Sequence, residues 1–341
     1  MMIDGNKVLL TGGAGSVGSM LAPRLLARDP EVLRVFDNDE AGLADLKSAL
    51  NDDRCRFLAG DVREAGRLHR AMEDIDVVIH TAAMKHVDVC EYNPFEAVKT
   101  NVLGIQNIVD AAIDSGVQRV VFTSSDKAVD PANTMGTTKL LGERLLTAGN
   151  KHSGRSDLRF TSVRFGNILN SSQSVVPLFV DQIRDGGPVT LTDTQMTRFF
   201  LTYDDVFDLI SQAIEKTEGG EVFVYKMPAI RIEDLAEAMI EVFAPQYNHD
   251  PSDIDIDIIG RRPGETFHEE IMTERETNRA YENDVLYAIR PETSEYISFE
   301  NGNNFTPADD IVRSSGDAPK LSKDEIVTLL EETGAVEVTN E

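Results

Sequence analysis

The chain is predicted to be an α/β protein built on a doubly wound parallel sheet, and three observations in its first half predict it. Short β-branched or apolar runs alternate with amphipathic stretches of helix length. The runs Val77-Val78-Ile79 and Val120-Val121-Phe122 are apolar without interruption, as strands covered on both faces must be. A glycine-rich turn, Thr11-Gly12-Gly13-Ala14-Gly15-Ser16-Val17-Gly18, follows the first run directly and opens a helix. At 341 residues the chain has room for such a core and for a second, smaller lobe.

Taken in order, strands are expected at residues 8–10, 32–36, 56–59, 77–81, 120–123 and 160–163, each followed by a helix. Together they make a Rossmann-like dinucleotide-binding domain over residues 1–166. The alternation then loosens. Helices expected at 175–184, 204–216 and 232–243 are separated by short strands and by turns such as Gly186-Gly187-Pro188. Residues 167–290 are therefore read as a smaller C-terminal substrate lobe that returns in part to the sheet. From Pro291 to Pro319 the chain is rich in Asn, Ser, Asp and Gly, and a last amphipathic stretch follows at 323–332. Residues 291–341 read as a polar arm and a terminal helix.

Composition excludes several function classes. With 33 Lys+Arg against 59 Asp+Glu the net charge is -26, so no basic footprint exists for nucleic acid or an anionic membrane surface. Cys55 and Cys90 are too few for a disulfide scaffold, and the six His lack metal-ligand spacing, so no metal is expected. The first residues carry no apolar leader and no run approaches a membrane span, so a reduced cytoplasmic setting is expected. Arginines outnumber lysines, 22 to 11, and the acids are spread along the whole chain. Dispersed carboxylates of this kind keep a surface hydrated and self-repelling, which suits a salt-adapted host.

The turn places Gly12, Gly15 and Gly18 in a Gly-x-x-Gly-x-x-Gly spacing, with Ser16 and Val17 opening the helix. Glycines there let the backbone approach a pyrophosphate, which then rests on the N-terminal N–H groups of the helix. Asp37 ends the second strand about 20 residues on, where a carboxylate accepts hydrogen bonds from the adenosine ribose. That carboxylate would repel a 2′-phosphate, so NAD is expected rather than NADP. Asp61-Val62 should flank the adenine, and Ala82-Ala83 should line the nicotinamide side.

The glycine spacing, Asp61-Val62 and a helix-opening box that ends in Lys139 resemble the extended short-chain dehydrogenase/reductase superfamily. Its box is Tyr-x-x-x-Lys; here it reads Met135-Gly136-Thr137-Thr138-Lys139, with Met135 in place of the tyrosine. A thioether neither accepts nor gives the proton that a tyrosine would. The fifth strand, however, ends in Ser124-Ser125-Asp126-Lys127, a carboxylate beside an ammonium at the carboxyl edge of the sheet. Further segments occur in order: Met84-Lys85-His86-Val87, Glu91-Tyr92-Asn93-Pro94, Lys99-Thr100-Asn101-Val102, Ser125-Asp126-Lys127-Ala128, Met196-Thr197-Arg198-Phe199 and Arg262-Pro263-Gly264-Glu265. With them the chain resembles the nucleotide-sugar 4,6-dehydratase family of polysaccharide biosynthesis, in its short soluble capsule-type form, which acts on UDP-N-acetylglucosamine.

That resemblance implies a redox-neutral lyase with tightly bound NAD. The sugar is oxidised at C4, loses the C5 proton and the C6 hydroxyl, and is reduced at C6. Carried onto this sequence, Asp126 is the general acid for the departing hydroxyl and Lys127 the base at C5. Lys139 holds the nicotinamide ribose, Ser125 orients the C4 oxygen, and Asn101, beside the cofactor, braces the helix beneath. Asn167, Arg198 and Arg262 match positions that contact the nucleotide diphosphate. Lys85 and His86 are further candidates on the substrate side, and the scarcity of cations in an acidic chain singles out Lys85. The family's Ser-Arg-Gly-Ser stretch is replaced by Ser171-Ser172-Gln173-Ser174, which bears on how the diphosphate or uridine is held.

Two alternatives stand beside this reading. A nucleotide-sugar 4-epimerase uses the same oxidation without elimination, and a catalytically inactive NAD-binding regulator would explain Met135. A homo-oligomer is expected, because related folds assemble through helices beside the active site. If the carboxylate surplus reflects salt adaptation, the unfolding midpoint should rise as KCl is raised to molar concentration; a midpoint indifferent to salt would reject that origin.

Overall fold

A computed structural model of the chain describes residues 2–154, 157–171, 174–261, 264–292 and 304–333. The chain forms two compact units: residues 1–164, 204–226 and 272–310 make the first, and 165–203, 227–271 and 311–341 the second.

In chain order the first stretch holds β1 (Lys7–Thr11), α1 (Ser16–Leu26), β2 (Val32–Asp37), α2 (Glu40–Leu50), β3 (Cys55–Ala59), α3 (Ala65–Met72) and β4 (Val77–His80). There follow α4 (Val87–Tyr92), α5 (Pro94–Val98), a π-helical turn (Lys99–Leu103), α6 (Gly104–Asp114), β5 (Arg119–Thr123), α7 (Thr134–His152) and β6 (Arg159–Arg164). All six expected strands form, each extended by a residue or trimmed by one at its ends. The remainder holds β7 (Asn167–Ile168), α8 (Val175–Arg184), β8 (Val189–Leu191), β9 (Thr197–Leu201), α9 (Tyr203–Lys216), β10 (Val222–Tyr225), β11 (Ala229–Arg231) and α10 (Ile232–Phe243). Last come β12 (Ile256–Ile258), α11 (Glu274–Thr277), β13 (Ala280–Glu282), β14 (Leu286–Ile289), β15 (Thr306–Pro307) and α12 (Lys323–Glu332).

The sheet of the first unit runs β15-β13-β14-β10-β6-β5-β4-β1-β2-β3. Strands β3 to β10 in that order are parallel; β14, β13 and β15 are antiparallel additions at one edge. Strand order reverses between β1 and β4, so helices leave these two strands toward opposite faces and open a crevice at their carboxyl ends. Leu9, Val78, Val120, Phe122 and Phe160 cover one face of the sheet and pack on Leu68, Ile105 and Ile108 of α3 and α6. Burying both faces of β4 and β5 is what their unbroken apolar runs required.

The second unit carries a three-stranded sheet, β11-β9-β7, and a two-stranded one, β12-β8. Its core joins Phe179 and Ile183 of α8, Leu235 and Met239 of α10, and Ile326 and Leu330 of α12. Helix α12 forms over the span its amphipathic pattern predicted, and a capping box between Ser322 and Glu325 fixes its start.

The stretch read as a polar arm is partly tied down. Residues 293–303 lie outside the described part, but β15 pairs with β13, and Phe305 is buried against Phe223 at 6.1 Å between ring centroids. Ser315, fully buried, exchanges hydrogen bonds with Thr197 and accepts one from the Glu269 N–H. Polar side chains satisfied by backbone carry no hydrophobic periodicity, so the pattern alone could not show them packed.

Candidate active site

At the carboxyl end of β1 the chain must turn hard against β4. Gly12 adopts φ +71° there, and a Cβ on it would lie 2.6 Å from the Ala82 Cα. A Cβ on Gly18 would lie 2.6 Å from the Gly13 Cα, so this glycine lets α1 seat on the turn. Gly15 precedes α1 without any side-chain cap, which leaves the first N–H groups of the helix open to an anion. Asp37, at the end of β2, accepts from the Ala14 N–H at 2.9 Å and from the Asp39 N–H at 3.0 Å, so its carboxylate is anchored beside the turn.

These groups converge on a cavity of about 410 Å3 lined by Gly12, Gly15, Asp37, Asp61, Val62 and Ala82, with Ala83 beside them. The glycine cradle, the open helix start and the anchored carboxylate are what a dinucleotide needs, so the residues fit a nicotinamide dinucleotide. Sequence reading missed Arg63, which also lines this cavity. It grips Asp61 through Nε at 2.9 Å and a terminal nitrogen at 2.6 Å, and Glu96 at 2.9 Å. The guanidinium of Arg63 holds the Asp61 carboxyl below the usual carboxylate range.

Two residues expected on the substrate side sit in the loop after β4. The Lys85 ammonium donates to the Ser16 hydroxyl at 3.0 Å, which places it at the glycine-rich turn. His86 occupies the N-cap of α4 without a side-chain cap bond. Asn101, on the π-helical turn, is buried and pins this loop: it accepts from the Met84 N–H at 2.8 Å and donates to the Met84 carbonyl at 3.0 Å and the Thr138 hydroxyl at 2.9 Å.

The end of β5 carries Asp126 and Lys127, the candidate acid and base. Asp126 is 1% exposed; its Oδ1 accepts from the Ser125 hydroxyl at 2.7 Å, the Lys127 N–H at 2.8 Å and the Lys127 ammonium at 3.0 Å. Its Oδ2 is buried with no hydrogen-bond partner among the described residues. The Lys127 side chain remains about a quarter exposed. Asn133 caps α7 by accepting the Gly136 N–H at 2.8 Å. A Cβ on Gly136 would overlap the Lys127 carbonyl oxygen, so this glycine lets α7 press against the turn that holds Lys127.

Met135 is buried with Cys90 and Ala97, against Met84 and Val87. Its neighbours in this cluster are apolar apart from the Cys90 thiol, which burial pushes up, away from the thiolate. One turn on, Lys139 donates to the Thr123 carbonyl at 2.8 Å and lies 4.7 Å from the centre of the Phe122 ring. Burial lowers its pKa to about 8, against an opposing pull from Glu143. Glu143 and its partner Arg164 were not singled out in the sequence; the Lys139-x-x-x-Glu143 spacing, one helical turn on a common face, was the available signal.

In the second unit, Asn167 and Arg198 line a cavity of about 550 Å3 with Ser174, Thr192, Met196 and Glu265. The Arg198 guanidinium donates to the carbonyls of Thr197 (2.8 Å), Phe267 (3.1 Å) and Thr266 (3.0 Å), and Glu269 lies 3.5 Å from its Nε. Most of its donors thus close the turn at 266–269. Arg261, overlooked in the sequence, stacks 4.1 Å from the centre of the Phe267 ring. Arg262 and the departing Ser172-Gln173 lie outside the described residues.

Comparison with known proteins agrees with this geometry. A family model described as "Polysaccharide biosynthesis protein" matches residues 8–291. The chain is 46% identical to an uncharacterized membrane protein of Methanocaldococcus jannaschii over 95% of both chains. It is 39% identical to a UDP-N-acetylglucosamine 4,6-dehydratase (inverting) of Campylobacter jejuni, covering 85% of this chain and 84% of the other. A UDP-glucose 4-epimerase of Rickettsia felis is 37% identical with the same coverage. Among solved structures, Pen from Bacillus thuringiensis superposes with a TM-score of 0.88 at 40% identity, over 97% of this chain and 99% of that one. The dTDP-glucose 4,6-dehydratase DesIV of Streptomyces venezuelae, solved with NAD bound, gives 0.67 at 26% identity over 76% and 86%. No helix among the described residues is long and apolar enough to cross a membrane.

The lowered pKa of Lys139 has a sign that can be measured. Between pH about 8 and 10.5 the unfolded chain holds a proton on this amine that the folded chain has lost, so stability rises with pH through that window. Compared with Lys139→Met, the wild-type unfolding free energy should gain as pH rises across it; a constant difference would show that the buried amine titrates normally.

Proposed function

The chain belongs to the polysaccharide biosynthesis protein family of extended short-chain dehydrogenase/reductases, enzymes of nucleotide-sugar chemistry, and we propose that it is an NAD-dependent 4,6-dehydratase acting on UDP-N-acetylglucosamine in the cytoplasm. The observation that carries this reading is the Asp126–Lys127 pair: a buried carboxyl with one oxygen unengaged, 3.0 Å from a partly exposed ammonium. Epimerisation requires no acid at C6, whereas elimination of water requires both an acid and a base on neighbouring carbons.

Bound NAD supplies the hydride acceptor for C4 and the donor for C6. Everything else falls to the chain's own groups. Passing the proton that the pair shares from Lys127 to Asp126 leaves Asp126 as the acid that protonates the departing C6 hydroxyl and Lys127 as the free amine that takes the C5 proton. Ser125 orients the C4 oxygen, and Lys139 holds the nicotinamide ribose. The carboxylate of Asp37 favours NAD over NADP, since it would face a 2′-phosphate with like charge. Lys85, beside Ser16, adds a cation where a pyrophosphate would rest. Asn167, Arg198 and Arg262 are assigned to the nucleotide diphosphate.

Purified protein incubated with UDP-N-acetylglucosamine should yield a product lighter by one water without net NADH. Lys127→Ala should lower turnover by about a hundredfold or more while the fold persists. An isomer of unchanged mass would establish the epimerase instead, and failure with every UDP- and dTDP-sugar would reject the enzyme.

Self-association is proposed through the face formed by α4, α5 and the π-helical turn. Tyr92 and Phe95 are 88% and 80% exposed there, beside exposed Val89, Val98 and Leu103, an apolar concentration at odds with a surface otherwise dominated by carboxylate. Sedimentation velocity should show a dimer or larger species that Tyr92→Glu with Phe95→Glu converts to monomer; a monomeric wild type would reject it.

A further inference from the structure

Four charges are buried together behind the acid–base pair. Arg164, 1% exposed at the end of β6, donates through Nε to Glu143 Oε1 at 2.8 Å and through a terminal nitrogen to Oε2 at 2.7 Å. Its other edge meets both oxygens of Glu276 at 2.9 Å. Lys139, one turn before Glu143 on α7, brings the set to two cations and two carboxylates. Burying such a set contributes little to stability compared with apolar residues of the same volume, so its retention fits a role in fixing geometry.

Glu143 is the member that reaches the reacting end. Its Oε1 accepts the Ser124 hydroxyl at 2.6 Å, while Lys139 donates to the carbonyl of the preceding residue, Thr123, at 2.8 Å. Two consecutive residues at the end of β5 are thus fastened to α7 at two points one helical turn apart. The chain continues from Ser124 directly into Ser125, Asp126 and Lys127. Ser124 is itself buried, and its uncharged side chain joins this ion cluster to the strand end.

We propose that Glu143 is a positioning residue which, held by Arg164 and acting through the Ser124 hydroxyl, sets the placement of Ser125, Asp126 and Lys127 relative to Met135 and Lys139. Glu143 touches neither substrate nor cofactor in this role. The proposal deepens the dehydratase reading and rests on it for the turnover measurement, but its mechanical part stands without substrate.

Ser124→Ala removes the link without altering any buried charge, and Ser124→Thr keeps the hydroxyl. In Ser124→Ala, hydrogen exchange of the amides at 124–128 should quicken by about tenfold or more, as expected for loss of a hydrogen bond to a charged group, with other segments unchanged. The turnover number should fall by about a hundredfold while KM stays near the wild-type value, because the reacting groups lose alignment rather than affinity. Ser124→Thr should restore both. Wild-type exchange and turnover in Ser124→Ala would overturn the proposal, as would equal losses in the Ala and Thr variants. If the wild type neither dehydrates nor oxidises any nucleotide sugar, the dehydratase reading falls, and exchange at 124–128 with its rescue by threonine alone decides the positioning role.

Discussion

The guanidinium of Arg164, held between two buried carboxylates at the end of β6, is the interaction on which the carboxyl edge of the sheet depends. A charge taken out of water must be paired in full. Removing either Glu143 or Glu276 would leave a remnant whose cost is about 3–5 kcal/mol, far more than any surface ion pair here contributes. Burial works to lower the Arg164 pKa, but the charges and hydrogen bonds of Glu143 and Glu276 raise it above its ordinary value, and Glu276 is held down to about 2. The ends of β5 and β6 and the middle of α7 are joined by this set, and β5 to β6 also by the backbone bonds of the sheet.

The second constraint is the loss of the tyrosine. Met135 occupies its place among Cys90, Ala97, Met84 and Val87, and burial pushes the Cys90 thiol up, away from the thiolate. In the proposed reaction the acid and base roles therefore fall to Asp126 and to Lys127, against whose carbonyl Gly136 packs. Gly136 makes that contact feasible, since any side chain there would push α7 off the Lys127 carbonyl. The methionine and the glycine next to it read as parts of one arrangement: an apolar helix start packed close against the turn that carries Asp126 and Lys127.

An acidic chain of net charge -26 has few cations to spend on phosphate, and their placement is uneven. Lys85 stands at the glycine-rich turn, whereas Arg198 gives most of its donors to backbone carbonyls. Arg63 and Arg164, neither apparent in advance, are each committed to carboxylates. Among the described residues, Arg198 and Lys85 line or border the cavities, and Arg198 keeps most of its donors on backbone carbonyls.

What the sequence determined by itself is whatever is written locally. The six parallel strands, the helices of the second unit, the glycine turn, the carboxylate of Asp37 at the end of β2 and the Asp126-Lys127 adjacency follow from periodicity, from the space a Cβ needs, and from neighbours in the chain. Resemblance added the roles, because residues matched in order carry chemistry that spacing alone leaves open. Only the tertiary structure decided which polar groups share a buried site. Glu143, Arg164 and Glu276 are up to 133 residues apart in the chain, and a hydrogen bond or ion pair between distant strands leaves no periodic trace. The same reason hid Ser315 and the contact of Arg63 with Glu96: their packing is set by a partner's lone pair or proton rather than by apolar surface, and that partner is brought near by the fold.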